Sequence, residues 1–419
     1  AGLKRSGRSE FLKPGEFLED LVAQVTAHPL VQVHLGTELA RSRGFVGNFV
    51  STLQPTARKT NGGNGEAADG GNGGAQADAI EVSHGVIILA TGGVEYRGDE
   101  YGYGSARNIV TQQQLEARLA QAEQGAQALP RSVVMIQCVG PAERSCARIC
   151  CTSALKNALV LKRLDPTIQV TVIYRDIRTY GFKERLYAQA RELGVLFVHY
   201  DDARLPDVRV AGAEGDGAAE RDAALEVRVW DEALARELVL APDLLVLSTP
   251  VVPALAAQEM RSRLKVQLDS DGFFLEAHVK LRPVDFVSEG IFMAGMAHYP
   301  KLLDESIAHA RAAAARAATV LARDSIRTGG RVANVDQVLC VACLTCVRSC
   351  PFGAVRIQED APGVGGVLGA ARVEAALCQG CGLCAAECPA GAIDLMHYTD
   401  DQVMTKVDAL FEPAEGAAP

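Results

Sequence analysis

The sequence predicts an α/β chain in which a core of alternating strands and helices is followed by a small, duplicated, cysteine-rich α+β module. Three observations carry this. From Val86 to Arg323, short wholly apolar segments alternate with helical ones, the pattern of a parallel, doubly wound sheet. Near the C-terminus, Cys340, Cys343, Cys346 and Cys350 precede Pro351, and Cys378, Cys381, Cys384 and Cys388 precede Pro389 at the same spacing. Between the first elements and the core, residues 56–79 hold seven glycines and three asparagines, which reads as a flexible linker or as a plain surface loop.

In chain order, Pro14 to Ala27 predicts a helix with proline in its first turn. Val31 to His34 alternates like a strand, and Gly44-Phe45-Val46-Gly47-Asn48-Phe49-Val50 reads as the turn and second strand of a hairpin. Val86 to Ala90 is a buried strand ending in Thr91-Gly92-Gly93, and Ser132 to Gln137 is another. A helix over Ser153 to Leu164 stops at Pro166, followed by the strand Gln169 to Tyr174, a helix over Glu184 to Leu193 and the strand Val195 to His199. Leu225 to Trp230 and Glu237 to Ala241 form an added antiparallel pair. The strands Asp243 to Leu247 and Ile291 to Ala294 then precede a long helix from Leu302 to about Arg323, and the tail after Pro413 reads as disordered.

At 419 residues more than one domain is expected. The sequence divides into 1–127, 128–247 as an inserted Rossmann-like domain, a return segment 248–330, the cysteine-rich module at 331–400 and a tail at 401–419. Hydrophobic residues are 48% and charged residues 22%, an ordinary globular mix. A net charge of -9 with no basic stripe argues against nucleic acid and suits docking with other redox proteins. No apolar run approaches the roughly 20 residues of a membrane-spanning helix. Twelve cysteines in a long chain favour metal ligation over disulfides, and free thiolates imply a reducing, cytoplasmic compartment. The chain carries no signal peptide and does not begin with Met, so it reads as a fragment or processed product.

The repeated spacing is the bacterial ferredoxin pattern, in which the fourth cysteine of each motif ligates the other cluster. It assigns Cys340, Cys343, Cys346 and Cys388 to one 4Fe-4S cluster, and Cys378, Cys381, Cys384 and Cys350 to the second. Structural zinc would pair two knuckles across a longer gap, without a third cysteine at the same step. A further set, Cys138, Cys146, Cys150 and Cys151, lacks that spacing. With four thiolates per cluster, twelve cysteines would serve three clusters. A redox disulfide between the adjacent Cys150 and Cys151 is the competing reading.

Ile87-Ile88-Leu89-Ala90-Thr91-Gly92-Gly93 and Ile291-Phe292-Met293-Ala294-Gly295-Met296 both read as buried strand, small residues, then turn. Strand ends of this kind carry the backbone amides that meet FAD in flavoproteins with two dinucleotide-binding domains, although plain α/β architecture produces them too. Ser306, Ile307 and Ala308 follow on a helix whose first-turn amides would face the cofactor. His298 and Lys301 lie in the turn between. No Gly-x-Gly-x-x-Gly follows any strand. For FAD that fingerprint would lie upstream of residue 1; for a nicotinamide it would follow Gln137, where Cys138-Val139-Gly140 stands instead.

The stretch from Ile136-Gln137-Cys138-Val139-Gly140 through Cys150, Cys151 and Ala154-Leu155-Lys156-Asn157-Ala158 to Tyr174-Arg175-Asp176-Ile177-Arg178-Thr179-Tyr180-Gly181 resembles the A subunit of heterodisulfide reductase, its flavin and iron–sulfur component. The Gly44 to Phe49 turn, Ala90-Thr91-Gly92-Gly93, Ala294-Gly295 and Pro300-Lys301 share the resemblance, which covers nearly the whole chain. It implies a thioredoxin-reductase-like flavoprotein core, here without the N-terminal pyrophosphate motif, and electron passage between FAD and 4Fe-4S clusters. It further implies a cluster on the upstream cysteines close to the flavin, Lys156 approaching the isoalloxazine ring, and the capacity of the flavin to split an electron pair between two acceptors. Implied partners are other subunits of a heterodisulfide-reductase-like complex, redox proteins and a second copy in a homodimer. The family's further ferredoxin insert after the hairpin is replaced by the Gly/Asn linker. Two other readings compete: an iron–sulfur wiring module with an empty flavin core, and a nicotinamide-dependent oxidoreductase of the glutamate synthase small-subunit type.

Overall fold

The computed structural model describes residues 3–4, 11–12, 14–56, 79–143, 146–211, 221–326 and 331–411. Most of the Gly/Asn linker and the tail beyond Pro413 lie outside the described residues. The chain divides into two compact units, one of residues 1–44 and 49–84, the other of residues 45–48 and 85–419.

In the first unit the helix Pro14–Ala27 stands as its sequence predicts. Val31 to His34 is not a strand. The hairpin instead pairs Thr37–Phe45 with Asn48–Pro55, and Ile80–His84 adds a third antiparallel strand. Thr37–Phe45 shows only partial burial along its length, so it carries little of the apolar alternation by which a strand is read.

The second unit is built on a five-stranded parallel sheet: β1 (Ile109–Thr111), β2 (Ser132–Ile136), β3 (Gln169–Tyr174), β4 (Leu196–His199) and β5 (Leu244–Leu247), in the order β4-β3-β2-β5-β1. The register fixes Val134 beside Thr171 on one side and Leu245 on the other. Successive residues of β2 point to opposite faces, and both faces are buried. Val133 and Met135 pack beneath α1 (Gln112–Glu123), α2 (Cys150–Leu164) and α3 (Glu184–Glu192). Val134 and Ile136 pack against Leu225, Val227 and Val229 of an antiparallel sheet formed by Asp207–Ala211, Ala224–Asp231 and Arg236–Leu240. Among the described residues the sheet is therefore helical on one face only. The doubly wound expectation is corrected to three layers, because the added strands occupy the face that a second set of helices would need.

Ile87–Leu89 pairs in parallel with Ile291–Met293, and Gly93–Glu95 pairs antiparallel with Val251–Pro253. The long helix α4 (Leu303–Leu321) seals these strands by packing Ala313 and Ala317 on Val284 and Phe292. The cysteine-rich module pairs Ala333–Val335 with Ile393–Leu395 and Val355–Pro362 with Leu368–Val373. Residues 401–419, read as a tail, begin within the helix Asp400–Phe411.

Candidate functional site

The two repeats fold alike. In the second loop Gly380 and Gly382 take left-handed conformations (φ +64° and +77°), and in the first the equivalent Ala342 and Leu344 do the same at +54° and +65°. A left-handed residue costs an L side chain about 1–2 kcal/mol, and such strain gathers at sites where amides must converge. A Cβ on Gly380 would collide with the Arg331 carbonyl, whereas nothing lies within 4 Å of one on Gly382.

Each quartet of thiols surrounds a cavity. Cys340, Cys343, Cys346 and Cys388 line one, and Cys350, Cys378, Cys381 and Cys384 the other. The fourth cysteine of each repeat thus stands with the other repeat's first three. Backbone amides approach the sulfurs: Ala371 N–H donates to Cys340 Sγ at 3.4 Å, Ala354 to Cys350 and Ala392 to Cys388 at 3.3 Å, and Ala333 to Cys378 at 3.4 Å. Burial pushes the Cys384 thiol up to about 11 and raises Cys346. These thiols need a cationic occupant to hold them as thiolates.

The upstream set converges through three elements. Cys138 follows the end of β2 with φ +61°, Cys146 lies in the loop, and Cys150 and Cys151 open α2. Together with Ala147, Arg175, Asp176 and Arg178 they line one cavity. All twelve cysteines are free, so Cys150 and Cys151 form no disulfide. Cys138 is pushed up to about 11, chiefly by burial. Among the described residues no three Cys, His, Asp or Glu side chains are placed to hold a single metal ion, while four cysteines line each of the three cavities. That donor set fits a cluster of four thiolate-held irons.

Arg148, between these cysteines, was not legible in the sequence. Its amide donates to Cys146 Sγ at 3.3 Å, and its guanidinium reaches Glu305 Oε2 at 3.0 Å and the Pro300 carbonyl at 3.4 Å. The same guanidinium lies over the rings of Tyr180 and Tyr299, with centroids 5.5 and 5.1 Å away. Tyr180 Oη donates to Glu305 Oε1 at 2.6 Å. The cysteine loop is thereby fastened to the entry of α4 and to the turn after Gly295.

That turn holds the other sequence candidates. His298 and Lys301 are both buried, and Lys301 Nζ donates to His298 Nδ1 at 3.1 Å. His298 Nε2 donates to Glu276 Oε2 at 2.8 Å. Gly295 N–H donates to His309 Nδ1 at 3.0 Å, and the His309 ring stacks on His298. The two strand ends adjoin, since a Cβ at Gly93 would stand 3.8 Å from the Met296 carbonyl oxygen. Thr91 Oγ1 is buried without a partner, and Gly92 and Gly295, both left-handed, leave open space where a Cβ would stand. An orphaned hydroxyl beside two open glycine turns fits a cofactor bound against backbone. Ser306 N–H, however, is used by the Leu302 carbonyl. By position, the first-turn amides without an intrahelical carbonyl are those of Leu303, Asp304 and Glu305, three residues before the expected Ser306, Ile307 and Ala308.

Lys156 lies half-exposed on α2 and pairs with Glu116 of α1. One residue on, buried Asn157 Nδ2 donates to Gln112 Oε1 at 2.8 Å, and Gln112 Nε2 donates to Ser248 Oγ at 3.0 Å. Gln137, wholly buried beside Cys138, has both amide atoms without partners, as have the hydroxyls of Thr152 and Thr249.

Residues 320–402 match the 4Fe-4S dicluster domain family, and the C-terminal module is of that kind. The chain is 35% identical over 356 residues to the A subunit of the H(2):CoB-CoM heterodisulfide,ferredoxin reductase of Methanothermobacter marburgensis, covering 80% of this chain and 51% of that protein. It is 34% identical over 354 residues to the iron-sulfur A subunit of the CoB–CoM heterodisulfide reductase of Methanocaldococcus jannaschii, with the same coverages. The chain thus spans about half the length of these curated relatives. Among solved structures, a thioredoxin reductase of T. acidophilum aligns with 75% of this chain and 81% of its own at 15% identity and a TM-score of 0.41. Among the described residues, no helix is long and apolar enough to cross a membrane.

Proposed function

We propose that this chain, which belongs to the family of heterodisulfide reductase A subunits, is an electron-transfer subunit holding three 4Fe-4S clusters and FAD. The observation that carries the third cluster is the upstream cavity. Four cysteines from three elements line one cavity, as each ferredoxin quartet lines its own. Clusters pass single electrons and a flavin passes pairs, so a site holding both joins one-electron carriers to two-electron chemistry.

The chain's residues divide the work. Cys138, Cys146, Cys150 and Cys151 hold the upstream cluster, while Arg175 and Arg178 at its cavity wall offset its negative charge. Thr91, Gly92, Gly93, Gly295 and Met296 form the cradle for the flavin. Lys156 is assigned as the cation that favours the reduced ring, and its pairing with Glu116 moderates that effect. The ferredoxin module, with Cys343 and Cys381 exposed, connects to partner subunits.

A visible absorption spectrum of the anaerobically reconstituted chain, with iron and flavin quantified, tests this reading. Bound FAD together with broad iron–sulfur absorption is expected. Iron without any retained flavin would favour a wiring module with an empty core.

A further inference from the structure

Beneath the Gly295 turn lies a group of titratable side chains to which the cluster sites give no task. Lys301 and His298 are 5% and 7% exposed. His298 Nε2–H is donated to the Glu276 carboxylate at 2.8 Å, which fixes the ring's tautomer and leaves Nδ1 as an acceptor. Lys301 Nζ meets that acceptor at 3.1 Å and sits 3.1 Å from the centroid of the Tyr299 ring. An ammonium at this point therefore has a hydrogen-bond acceptor and an aromatic face ready for it. The connection to the strand end is short: His309 stacks on His298 with centroids 5.1 Å apart and accepts the Gly295 amide proton.

We propose that Glu276, His298 and Lys301 act as a unit in which Lys301 takes up one proton when a cofactor bound over the Gly295 turn is reduced. The inference rests on the flavin reading above. A buried lysine with an oriented histidine and carboxylate behind it follows the logic of a nucleophile–base–orienter set, used here for charge and not for bond formation. In the balance, two iron–sulfur clusters would each be oxidised by one electron, and that pair with one proton from the buffer acid would end on the cofactor. A second proton from the buffer acid would end on Lys301 Nζ, and the two conjugate bases would remain in bulk solvent.

The surroundings support such titration. Burial, reinforced by the Arg148 charge, brings Lys301 down to about 7, while Glu305 and Glu276 oppose the shift. His298 is lowered to about 4, chiefly by burial and then by Lys301, so it stays neutral. His309 is also lowered by burial, and Glu276 is held below its ordinary value. Tyr180 is raised to about 12, and Asp304 is engaged by Lys183 at 3.5 Å. Lys301 is thus the group among its neighbours that changes charge near neutrality. Negative charge gained above it would draw the proton on.

The test uses the full chain, reconstituted anaerobically with iron, sulfide and FAD and titrated with dithionite between about pH 7.5 and 9. Its readout is the number of protons taken up per electron pair, from the pH dependence of the bound flavin's potential. Wild type is expected to take two. Lys301→Gln should take one, with iron content unchanged. Lys301→Arg, which retains a permanent cation if the Gln variant fails to fold, should also take one. Two protons in either variant, or one in wild type, would overturn the lysine's role and leave the flavin site standing. A wild-type chain that retains no FAD would overturn the flavin reading and this inference together.

Discussion

Replacing Arg148 with alanine should release the cysteine loop from the entry of α4. The guanidinium's hydrogen bond to the Glu305 carboxylate, at 3.0 Å with both side chains about two-thirds buried, belongs to the charged class worth about 1.5–3 kcal/mol. Partial exposure places it at the lower end. Stacking on Tyr180 and Tyr299 adds about 0.5–1 kcal/mol for each exposed ring contact. Leaving Glu305 its bonds from Tyr180 and Leu302 returns part of this, so the net loss is about 2 kcal/mol. At 1.4 kcal/mol per factor of ten, local opening rises about 30-fold. Hydrogen exchange read by mass spectrometry over residues 300–308 measures that opening directly and needs no two-state assumption for so large a chain. Arg148→Gly should be milder, because Arg148 holds φ +53° and glycine relieves about 1 kcal/mol of left-handed strain. Unchanged exchange over 300–308 in the alanine variant, with iron content intact, would refute the clasp.

Gly380→Ala should prevent assembly of the Cys378–Cys381–Cys384–Cys350 cluster, since its Cβ meets the Arg331 carbonyl, and iron analysis should show a loss confined to one cluster. Gly382→Ala, open at the same point, should retain full iron at a cost of about 1–2 kcal/mol in strain. For pH, the depressed Lys301 binds fewer protons folded than unfolded between about 7 and its ordinary value of 10.5. Stability therefore rises with pH through that window, and Lys301→Met should flatten the rise in denaturant midpoints measured from about pH 7 to 10. Neither NADH nor NADPH should bleach the clusters or flavin of the isolated chain, because Cys138 to Cys151 fills the turn a dinucleotide pyrophosphate requires. Rapid bleaching by either would reverse that reading.

What the sequence discloses follows from how local each signal is. The ferredoxin cysteines lie within a few residues of one another, and their cross-assignment between repeats matches the grouping around the two cavities. Strand Gln169 to Tyr174 is wholly apolar or β-branched after its first residue and is found at those bounds. Contacts across distance are hidden: Arg148 and Glu305 are 157 residues apart, and no spacing connects them. Helix α1 is polar enough to escape a search for apolar periodicity, yet Thr111 and Gln114 form a capping box that marks its start. Helix α2 opens at Cys150, three residues before the expected Ser153, because the cysteine pair itself forms its first turn. Val31 to His34 shows how weak a four-residue alternation is as a signal, since the strand forms instead over the longer Thr37–Phe45.

Iron and acid-labile sulfide, counted per chain after anaerobic reconstitution, test the third cluster most directly. At four irons per cluster, about twelve irons and an equal number of sulfides are expected. Cys146→Ser should bring both down by about four without disturbing the ferredoxin clusters' spectroscopic signals. Saturation near eight irons in the wild-type chain, with Cys138 open to alkylation under native conditions, would contradict a cluster on the upstream cysteines.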